Sequence, residues 1–199
     1  MNSQPLLIII GSPNGAGKTT LTNYLIQRGR LNTDITPIIN PDNIALTLTI
    51  YNQTEKEFQA ARVALDQRSA YLQAKQSFAI ETTFSGNSEI SLLKQAKEAG
   101  YIIIGYYVTL SNVQDSIFRV ENRVVKGGHN VPTKNLLIRY KRSLQNLSDN
   151  FQKFDRLYLF DNSLKVRSRI AIIEFGKLTW INKKHQDHPL IKRLNISET

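Results

Sequence analysis

Ten residues near the beginning of the chain have the types and the spacing of a phosphate-binding loop. They are Gly11-Ser12-Pro13-Asn14-Gly15-Ala16-Gly17-Lys18-Thr19-Thr20, which fit the pattern G-x-x-x-x-G-K-[ST] except that Ser12 occupies the first glycine position. In such a loop, backbone N–H groups and a helix N-terminus surround the β-phosphate. Serine is small, so the departure is tolerable. We therefore predict that ATP or GTP is bound by Asn14, Gly15, Ala16, Gly17, Lys18, Thr19 and Thr20.

Two residues of this loop have separate chemical tasks in the prediction. Lys18 reaches the β- and γ-phosphate oxygens and is a catalytic candidate, and Thr19 supplies a hydroxyl ligand to Mg²⁺. The alternative is a glycine-rich turn that arose by chance. An aliphatic strand before the loop and a helical pattern after it argue against that alternative.

A carboxylate is expected near the phosphate-binding loop. The second candidate strand ends in Asn40-Pro41-Asp42, at the edge of the sheet where the loop lies. If Asp42 faces the γ-phosphate, it can bind the substrate and accept the proton of an attacking hydroxyl, as a catalytic base. The alternative is that Asp42 caps a helix that begins near Asn43, and the two roles can coexist.

A second carboxylate ends another predicted strand. Glu81 is followed by the hydroxyls of Thr82 and Thr83, and all three are candidates for binding substrate. Glu81 could instead organise Mg²⁺ through water, or serve as a cap-like loop residue.

Positive side chains are predicted on two helices that a glycine-rich segment joins. Arg119, Arg123 and Lys126 share one face of the first helix, and Arg139 and Arg142 lie on the second. The connector, residues 127–132, reads as a hinge, so residues 111–150 are predicted to form an arginine-bearing lid that would neutralise a transferring phosphoryl group and exclude water. His129 in the connector is a further candidate for binding phosphate. The alternative is a solvated helix face.

Strands and helices alternate along the chain, which predicts an α/β fold of three layers around a mostly parallel sheet. Hydrophobic periodicity predicts one stripe on a helix that Thr54 caps, made of Phe58, Ala61, Leu65 and Leu72. Strands are predicted at 6–10, 37–40, 78–81, 101–110 and 156–160, followed by a hairpin at 165–181 and a peripheral polar tail. Residues 1–199 are predicted to form a single domain.

Composition excludes several classes of protein. The chain has no cysteine, so disulfides, thiolate metal sites and cysteine nucleophiles are absent, and this fits the cytoplasm. No apolar run approaches the roughly 18 residues that span a membrane. The net charge is +10, and nine of these ten charges belong to residues 101–199, which suits an anionic partner or a basic solvated surface.

The ordered set of motifs resembles the zeta-toxin-like P-loop kinases, and in particular their small single-domain branch. The motifs that carry the resemblance are residues 13–20, Asn40-Pro41-Asp42, residues 81–86, residues 119–132, and Arg139-Tyr140 with the residues that follow to Leu147. The resemblance spans about residues 5–165. It implies a P-loop kinase fold with a helical lid.

Zeta toxins are the toxic half of toxin–antitoxin pairs and phosphorylate a sugar hydroxyl of UDP-N-acetylglucosamine. The resemblance therefore implies Lys18 as phosphate-binding lysine, Thr19 as Mg²⁺ ligand and Asp42 as general base. It implies Glu81 as a contact to the sugar nucleotide, and Arg123 and Arg139 as the lid cations nearest the phosphoryl group, with Arg119 and Arg142 as second choices. It also implies a nucleotide-sugar or nucleoside acceptor and an antitoxin partner.

Another class of function remains as the alternative. A P-loop ATPase or nucleic-acid-binding switch would use Asp42 or Glu81 to position water and the basic second half to grip a phosphate backbone. The sequence contains no contiguous basic tract interleaved with aromatic residues of the kind that stacks bases, so nucleic acid is the less favoured partner.

Overall fold

The computed structural model describes residues 4–127 and 131–196 of the chain. Its strands are β1 (Leu6–Gly11), β2 (Ile38–Ile39), β3 (Phe78–Thr82), β4 (Ile102–Thr109), β5 (Arg156–Asp161), β6 (Ser168–Glu174) and β7 (Lys177–Ile181). They form one sheet in the order β2-β3-β1-β4-β5-β6-β7. The first five strands are parallel, and β6 and β7 are antiparallel additions at one edge. The predicted α/β architecture is confirmed.

Helices cover both faces of this sheet. They are α1 (Lys18–Gln27), α2 (Pro41–Thr47), α3 (Gln53–Gln73), α4 (Asn87–Glu98), α5 (Val113–Val125), α6 (Thr133–Asn150) and α7 (Pro189–Leu194). Leu21 and Leu25 of α1 pack on one face. Side chains of α3, α4, α6 and α7 pack on the other. None of the helices in the described parts of the chain is long and apolar enough to cross a membrane.

The centre of the sheet explains why the phosphate-binding loop has a rigid base. Every side chain of β1 from Leu7 to Ile10 is buried, and the strand pairs with β3 on one side and β4 on the other. An all-aliphatic strand between two parallel neighbours is buried on both faces, which the sequence pattern predicted. The loop therefore leaves a buried strand that is hydrogen-bonded on both sides.

The predicted stripe on α3 is wrong. Phe58 is 72% exposed and Leu65 is 45% exposed, whereas Ala60, Ala64 and Arg68 are buried. The strand β2 has only two residues, so α3 has little sheet to cover. Its small alanines allow a close approach on the inner side, and Phe58 and Leu65 point to solvent. Leu72, near the end of the helix, packs against the main core as predicted.

The predicted start of α3 shifts by two residues. Asn52, not Thr54, caps α3 by accepting a hydrogen bond from the backbone of Glu55. Asn112 caps α5 in the same way, through the backbone of Asp115. Asparagine accepts such a bond as well as threonine does.

The C-terminal hairpin is confirmed, but the tail is less peripheral than expected. Phe175 and Gly176 form the turn between β6 and β7, both with positive φ. After the hairpin, α7 buries Leu190 and Leu194, each 3% exposed, in the main core. Two leucines at a four-residue spacing suffice to dock one short helix, even in a polar segment.

Candidate active site

The phosphate-binding loop has two glycines that no other residue could replace without a shift of its neighbours. Gly15 and Gly17 have φ of +73° and +100°. A Cβ atom at Gly15 would lie 3.0 Å from the carbonyl oxygen of Ser116, and one at Gly17 would lie 2.7 Å from the side-chain nitrogen of Asn162. Both the backbone conformation and the packing therefore require glycine here.

Side chains from α5 and from the segment after β5 hold the loop from outside. Asn162 Nδ2 donates a hydrogen bond to the carbonyl of Ala16 at 2.8 Å, and Ser116 Oγ donates to the carbonyl of Asn14 at 2.6 Å. Arg119, a candidate for binding substrate, donates from Nη2 to the carbonyl of Asn162 at 2.6 Å. Arg119 therefore stabilises the phosphate-binding loop indirectly, by holding Asn162 in place.

Asn162 was not predicted as a site residue. It directly follows β5, as Asn40 directly follows β2. Its position at the carboxyl end of a parallel strand was the one available signal in the sequence.

Lys18 is the first residue of α1, and its ammonium lies against Ser12. Lys18 Nζ is 3.3 Å from Ser12 Oγ and 3.4 Å from the carbonyl oxygen of Ser12. Burial lowers the pKa of Lys18 to about 8. The carboxylates of Glu81 and Asp42 oppose this shift, and the guanidinium groups of Arg123 and Arg139 add to it. The structure thus brings five predicted site residues within electrostatic range of each other.

Glu81 is buried in β3, and hydrogen bonds fix both of its oxygens. Thr22 Oγ1 donates to Oε1, and Asn40 Nδ2 donates to Oε2 at 2.9 Å. The alternative interpretation of Glu81 as a loop cap is wrong, because Glu81 is an internal strand residue. A carboxylate held in this way has one orientation toward Lys18.

Asp42 lies exposed in the first turn of α2. Asn40 is the N-cap of this helix, since its Oδ1 accepts a hydrogen bond from the Asp42 backbone at 2.9 Å. The alternative in which Asp42 itself caps the helix is therefore wrong. Asp42 keeps an accessible carboxylate, and the side chain of Asn40 connects it with Glu81.

The two threonines after Glu81 make contacts inside the protein. Thr82 is buried, donates to Glu89 Oε1 at 2.8 Å and accepts from the backbone of Phe84 at 3.0 Å. Thr83 Oγ1 lies 2.8 Å from Ser85 Oγ. The hydroxyl of Thr82 shapes the turn after β3, whereas Thr83 is half-buried.

The lid arginines divide into two groups. Arg123 on α5 and Arg139 on α6 are exposed and act on the pKa of Lys18. Arg142 is exposed one turn further along α6 and is not among the charges that shift Lys18. His129 lies outside the described residues. The structure therefore groups the first-choice arginines with Lys18.

The helix α6 is fixed to the rest of the site by polar side chains. Ser143 Oγ donates to the Thr83 carbonyl at 2.6 Å and lies 2.8 Å from the Tyr107 hydroxyl. Asn146 Nδ2 donates to the carbonyls of Phe84 and Gly86. These contacts explain the Arg-Tyr-x-x-Ser-x-x-Asn pattern, because its polar members anchor the helix that carries Arg139.

Oxygen atoms suited to Mg²⁺ lie at the start of α1. The Thr19 side chain is exposed in the first turn, and the Glu81 carboxylate is held near Lys18. No cluster of three acidic, histidine or cysteine residues occurs in the described segments. Mg²⁺ in nucleotide sites takes one or two protein oxygens and completes its shell with phosphate and water, so this donor set fits.

The model of the family described as Zeta toxin matches residues 1–173. This chain belongs to the zeta-toxin family. Its members are phosphotransferases that act on a hydroxyl, and so is this chain. An uncharacterized protein of Haemophilus influenzae is 31% identical over 128 residues, which are 64% of this chain and 86% of that protein.

Two solved structures have folds similar to that of this chain. A chain of the PezAT chromosomal toxin–antitoxin system of the human pathogen Streptococcus pneumoniae has a TM-score of 0.63 at 16% identity, over 86% of this chain and 72% of its own. A chain of AvrRxo1-ORF1:-ORF2 with ATP has a TM-score of 0.65 at 14% identity, over 100% of this chain and 66% of its own. At these identities the likeness establishes the fold.

Proposed function

We propose that this zeta-toxin family member is a cytoplasmic, Mg²⁺-dependent kinase that transfers the γ-phosphoryl group of ATP or GTP to a hydroxyl of a nucleotide sugar similar to UDP-N-acetylglucosamine. We further propose that it is the toxin of a toxin–antitoxin pair. The observation that carries the proposal is the hydrogen-bonded link from Asp42 through Asn40 to Glu81, which Thr22 of α1 also contacts, beside the phosphate-binding loop. The charges of both carboxylates, Arg123 and Arg139 act on the ammonium of Lys18. The cations suit a triphosphate, and the exposed carboxylate suits an alcohol.

Each group has a role in the transfer. The backbone of residues 14–20 holds the β-phosphate, and Lys18 compensates charge on the β- and γ-phosphate oxygens. Asp42 accepts the proton of the acceptor hydroxyl while that oxygen forms a bond to the γ-phosphorus and the bond to the bridging β,γ-oxygen breaks. Arg123 and Arg139 neutralise charge on the transferring group, and ADP or GDP leaves.

Two residues would hold Mg²⁺ together with the nucleotide. The Thr19 hydroxyl would supply a ligand, and Glu81 would bind a coordinated water or an acceptor hydroxyl. When bound, the ion neutralises charge on the β- and γ-phosphates.

The acceptor and the partner are inferred from the family and its structural neighbours. The nucleotide-bound neighbour supports ATP as donor, and the toxin–antitoxin neighbour supports an antitoxin that holds the activity off. A nucleotide sugar carries phosphates of its own, which suits the positive charge of residues 101–199.

The test is transfer of label from γ-labelled ATP or GTP to a panel of UDP-sugars and nucleosides, read by mass spectrometry. We expect a phosphorylated nucleotide sugar with the wild-type protein. We expect loss of transfer in Asp42→Asn while ATP still binds, because the base does not contact the nucleotide. A small loss of affinity is expected above neutral pH, since the Asp42 charge helps to keep Lys18 protonated. Asp66→Asn, which changes an exposed acid on α3, is the matched control and should retain activity.

Two results would contradict the proposal. Release of free phosphate with no labelled acceptor would favour the ATPase alternative. Full turnover in Asp42→Asn would remove that carboxylate from the mechanism.

A further inference from the structure

One face of the sheet carries aromatic rings and arginines beside α1. The two-residue period of β5 places Arg156, Tyr158 and Phe160 on this face. The Tyr158 ring stacks on the ring of Tyr106 in β4, with centroids 4.9 Å apart and 10° between the planes. Trp180 of β7 is 39% exposed next to them, paired with Ile172 across the hairpin.

Arginine side chains lie over several of these rings. The Arg167 guanidinium is 5.2 Å from the ring centroid of Tyr24 in α1 and 5.8 Å from that of Phe160. The Arg28 guanidinium is 5.6 Å from the same Tyr24 ring. At the other end, the Arg169 guanidinium is 4.7 Å from the ring of Trp180. These cation–π contacts keep the guanidinium groups beside the rings.

The charge of this face is strongly positive. Five arginines contribute to it: Arg28, Arg30, Arg156, Arg167 and Arg169. Arg30 belongs to the set because its charge and that of Arg156 act on the pKa of Tyr106, which burial and Tyr158 raise to about 12. Arg156 pairs with Glu174 at 2.6 Å, and no other ion pair within residues 4–127 and 131–196 engages the five.

We propose that this aromatic-arginine face binds single-stranded nucleic acid. The rings of Tyr24 and Trp180, which are 42% and 39% exposed, and the neighbouring guanidinium groups can stack on bases. The arginines of this face other than Arg156 can meet the phosphate backbone. An acidic peptide could use the charges but not the stacking surfaces. A duplex presents stacked bases that the rings cannot reach. The combination of flat surfaces with unpaired cations therefore favours a single strand over either alternative.

This face is not visible in the sequence because its residues come from separate parts of the chain. Tyr24 belongs to α1, and Arg28 and Arg30 come just after that helix. Tyr106 belongs to β4, Arg156, Tyr158 and Phe160 to β5, Arg167 to the segment before β6, and Arg169 and Trp180 to the hairpin strands. The sheet order brings them together, although no contiguous aromatic and basic tract exists. The proposed face is distinct from the Lys18 site, and it goes beyond the proposed function.

The single tryptophan of the chain makes the proposal directly testable. Trp180 lies on this face, so a base that stacks there should quench its emission. We expect quenching by an oligothymidylate or oligouridylate of about twelve nucleotides, which is within the usual site size. Anisotropy of the same oligonucleotides with a dye should give a dissociation constant that weakens steeply as salt rises.

Matched double variants separate this face from general electrostatics. Arg167→Gln with Arg169→Gln should lower the slope of log K against log salt by about 1.4, which is ~0.7 per lost phosphate contact. Arg62→Gln with Lys94→Gln removes two exposed cations from α3 and α4 on the other face and should leave the slope unchanged. Arg169→Lys keeps the positive charge but removes the planar guanidinium. It should therefore retain the salt dependence of binding and weaken the quenching of Trp180 emission. Melting curves identify any variant that fails to fold.

Several results would overturn the proposal. The first is the absence of Trp180 quenching at saturating oligonucleotide. The second is an equal decrease of the salt slope in the two double variants. The third is binding of a duplex or of polyglutamate that is as tight as binding of the single strand. Transfer from ATP to the acceptor is measured in the same proteins and should be equal in both double variants. Failure of the nucleic-acid test is therefore distinct from failure of the kinase proposal.

Discussion

Lys18 shows how opposing charges set the state of one catalytic group. Burial removes water from the ammonium and lowers its pKa, whereas the carboxylates of Glu81 and Asp42 stabilise the charged form. Arg123 and Arg139 repel it. A bound triphosphate would supply the negative charge that such a cluster of cations requires.

The pH dependence of nucleotide binding should report this balance. Lys18 is protonated below its pKa of about 8, and the phosphates bind the protonated form, so affinity for ATP should fall as the pH rises through about 8. Arg139→Gln removes a charge that lowers the pKa, so the loss of affinity should move to higher pH. Calorimetric titration of ATP at a series of pH values measures the midpoint of this loss in the wild-type protein and in Arg139→Gln. An unchanged midpoint in Arg139→Gln would show that Arg139 does not act on Lys18.

Asn40 should matter for catalysis although it carries no charge. Its side chain orients Glu81 and caps the helix that presents Asp42. In Asn40→Ala we expect kcat to fall roughly tenfold to a hundredfold, as small displacements of reacting groups cause. We also expect a stability loss of about 1 kcal/mol from the missing cap.

The control for Asn40 is the cap of α3. Asn52→Ala removes an equivalent hydrogen bond, to the Glu55 backbone at 3.0 Å, away from both carboxylates. It should lower the free energy of unfolding by a similar amount and leave kcat unchanged. If both variants lose kcat equally, Asn40 acts through stability alone.

Among the elements, α5 and the end of β5 act as supports of the phosphate-binding loop. Ser116 and Asn162 donate to carbonyls on the outer side of the loop, so its N–H groups can point inward. Arg119 connects the two supports through its hydrogen bond to Asn162. These hydrogen bonds connect α5 to the phosphate-binding loop. Arg123 lies on α5 one helical turn beyond Arg119.

Loss of the Asn162 support should affect nucleotide binding more than the chemical step. In Asn162→Ala we expect KM for ATP to rise about twofold to tenfold, the range that one hydrogen bond of about 0.5–1.5 kcal/mol gives. We expect kcat to change little. Asn182→Ala, in the turn after the hairpin, is the control with no expected change. Steady-state kinetics decides, and a fall in kcat at constant KM would contradict the support role.

At the scale of the whole molecule, the C-terminal elements belong to the same core as the site. The family match ends at residue 173, yet β7 continues the sheet and α7 packs Leu190 and Leu194 against residues of α6 and β6. His188 caps α7 and lies 3.7 Å from Asp161, one residue before Asn162. The final helix thus reaches the neighbourhood of the loop support.

Unfolding should accordingly occur as one transition, as the prediction of a single domain requires. Leu190→Ala should lower the free energy of unfolding by about 2–5 kcal/mol, because it leaves a cavity in the main core. Urea curves followed by Trp180 emission and by far-UV circular dichroism should coincide. Leu164→Ala, at a position 74% exposed, should change little. Separate transitions would show that the C-terminal elements unfold independently.

The local patterns that predicted the fold were those with strong physical constraints. The aliphatic β1 and the glycines of the phosphate-binding loop each allow few conformations, so these two features could be predicted from the sequence. The stripe on α3 failed because periodicity reports an apolar side but not whether a neighbour exists to cover it. With a two-residue β2, that neighbour is nearly absent.

By itself, the sequence determined the phosphate-binding loop, the alternation of strands and helices, and the chemical types at the strand ends, because these depend on residues close together in the chain. The tertiary structure decided which of those groups face Lys18, which ones brace the loop, and that scattered rings and arginines share one face. Such relations depend on strand order and helix packing, which join residues more than a hundred positions apart, as Asn162 and Ala16 are joined.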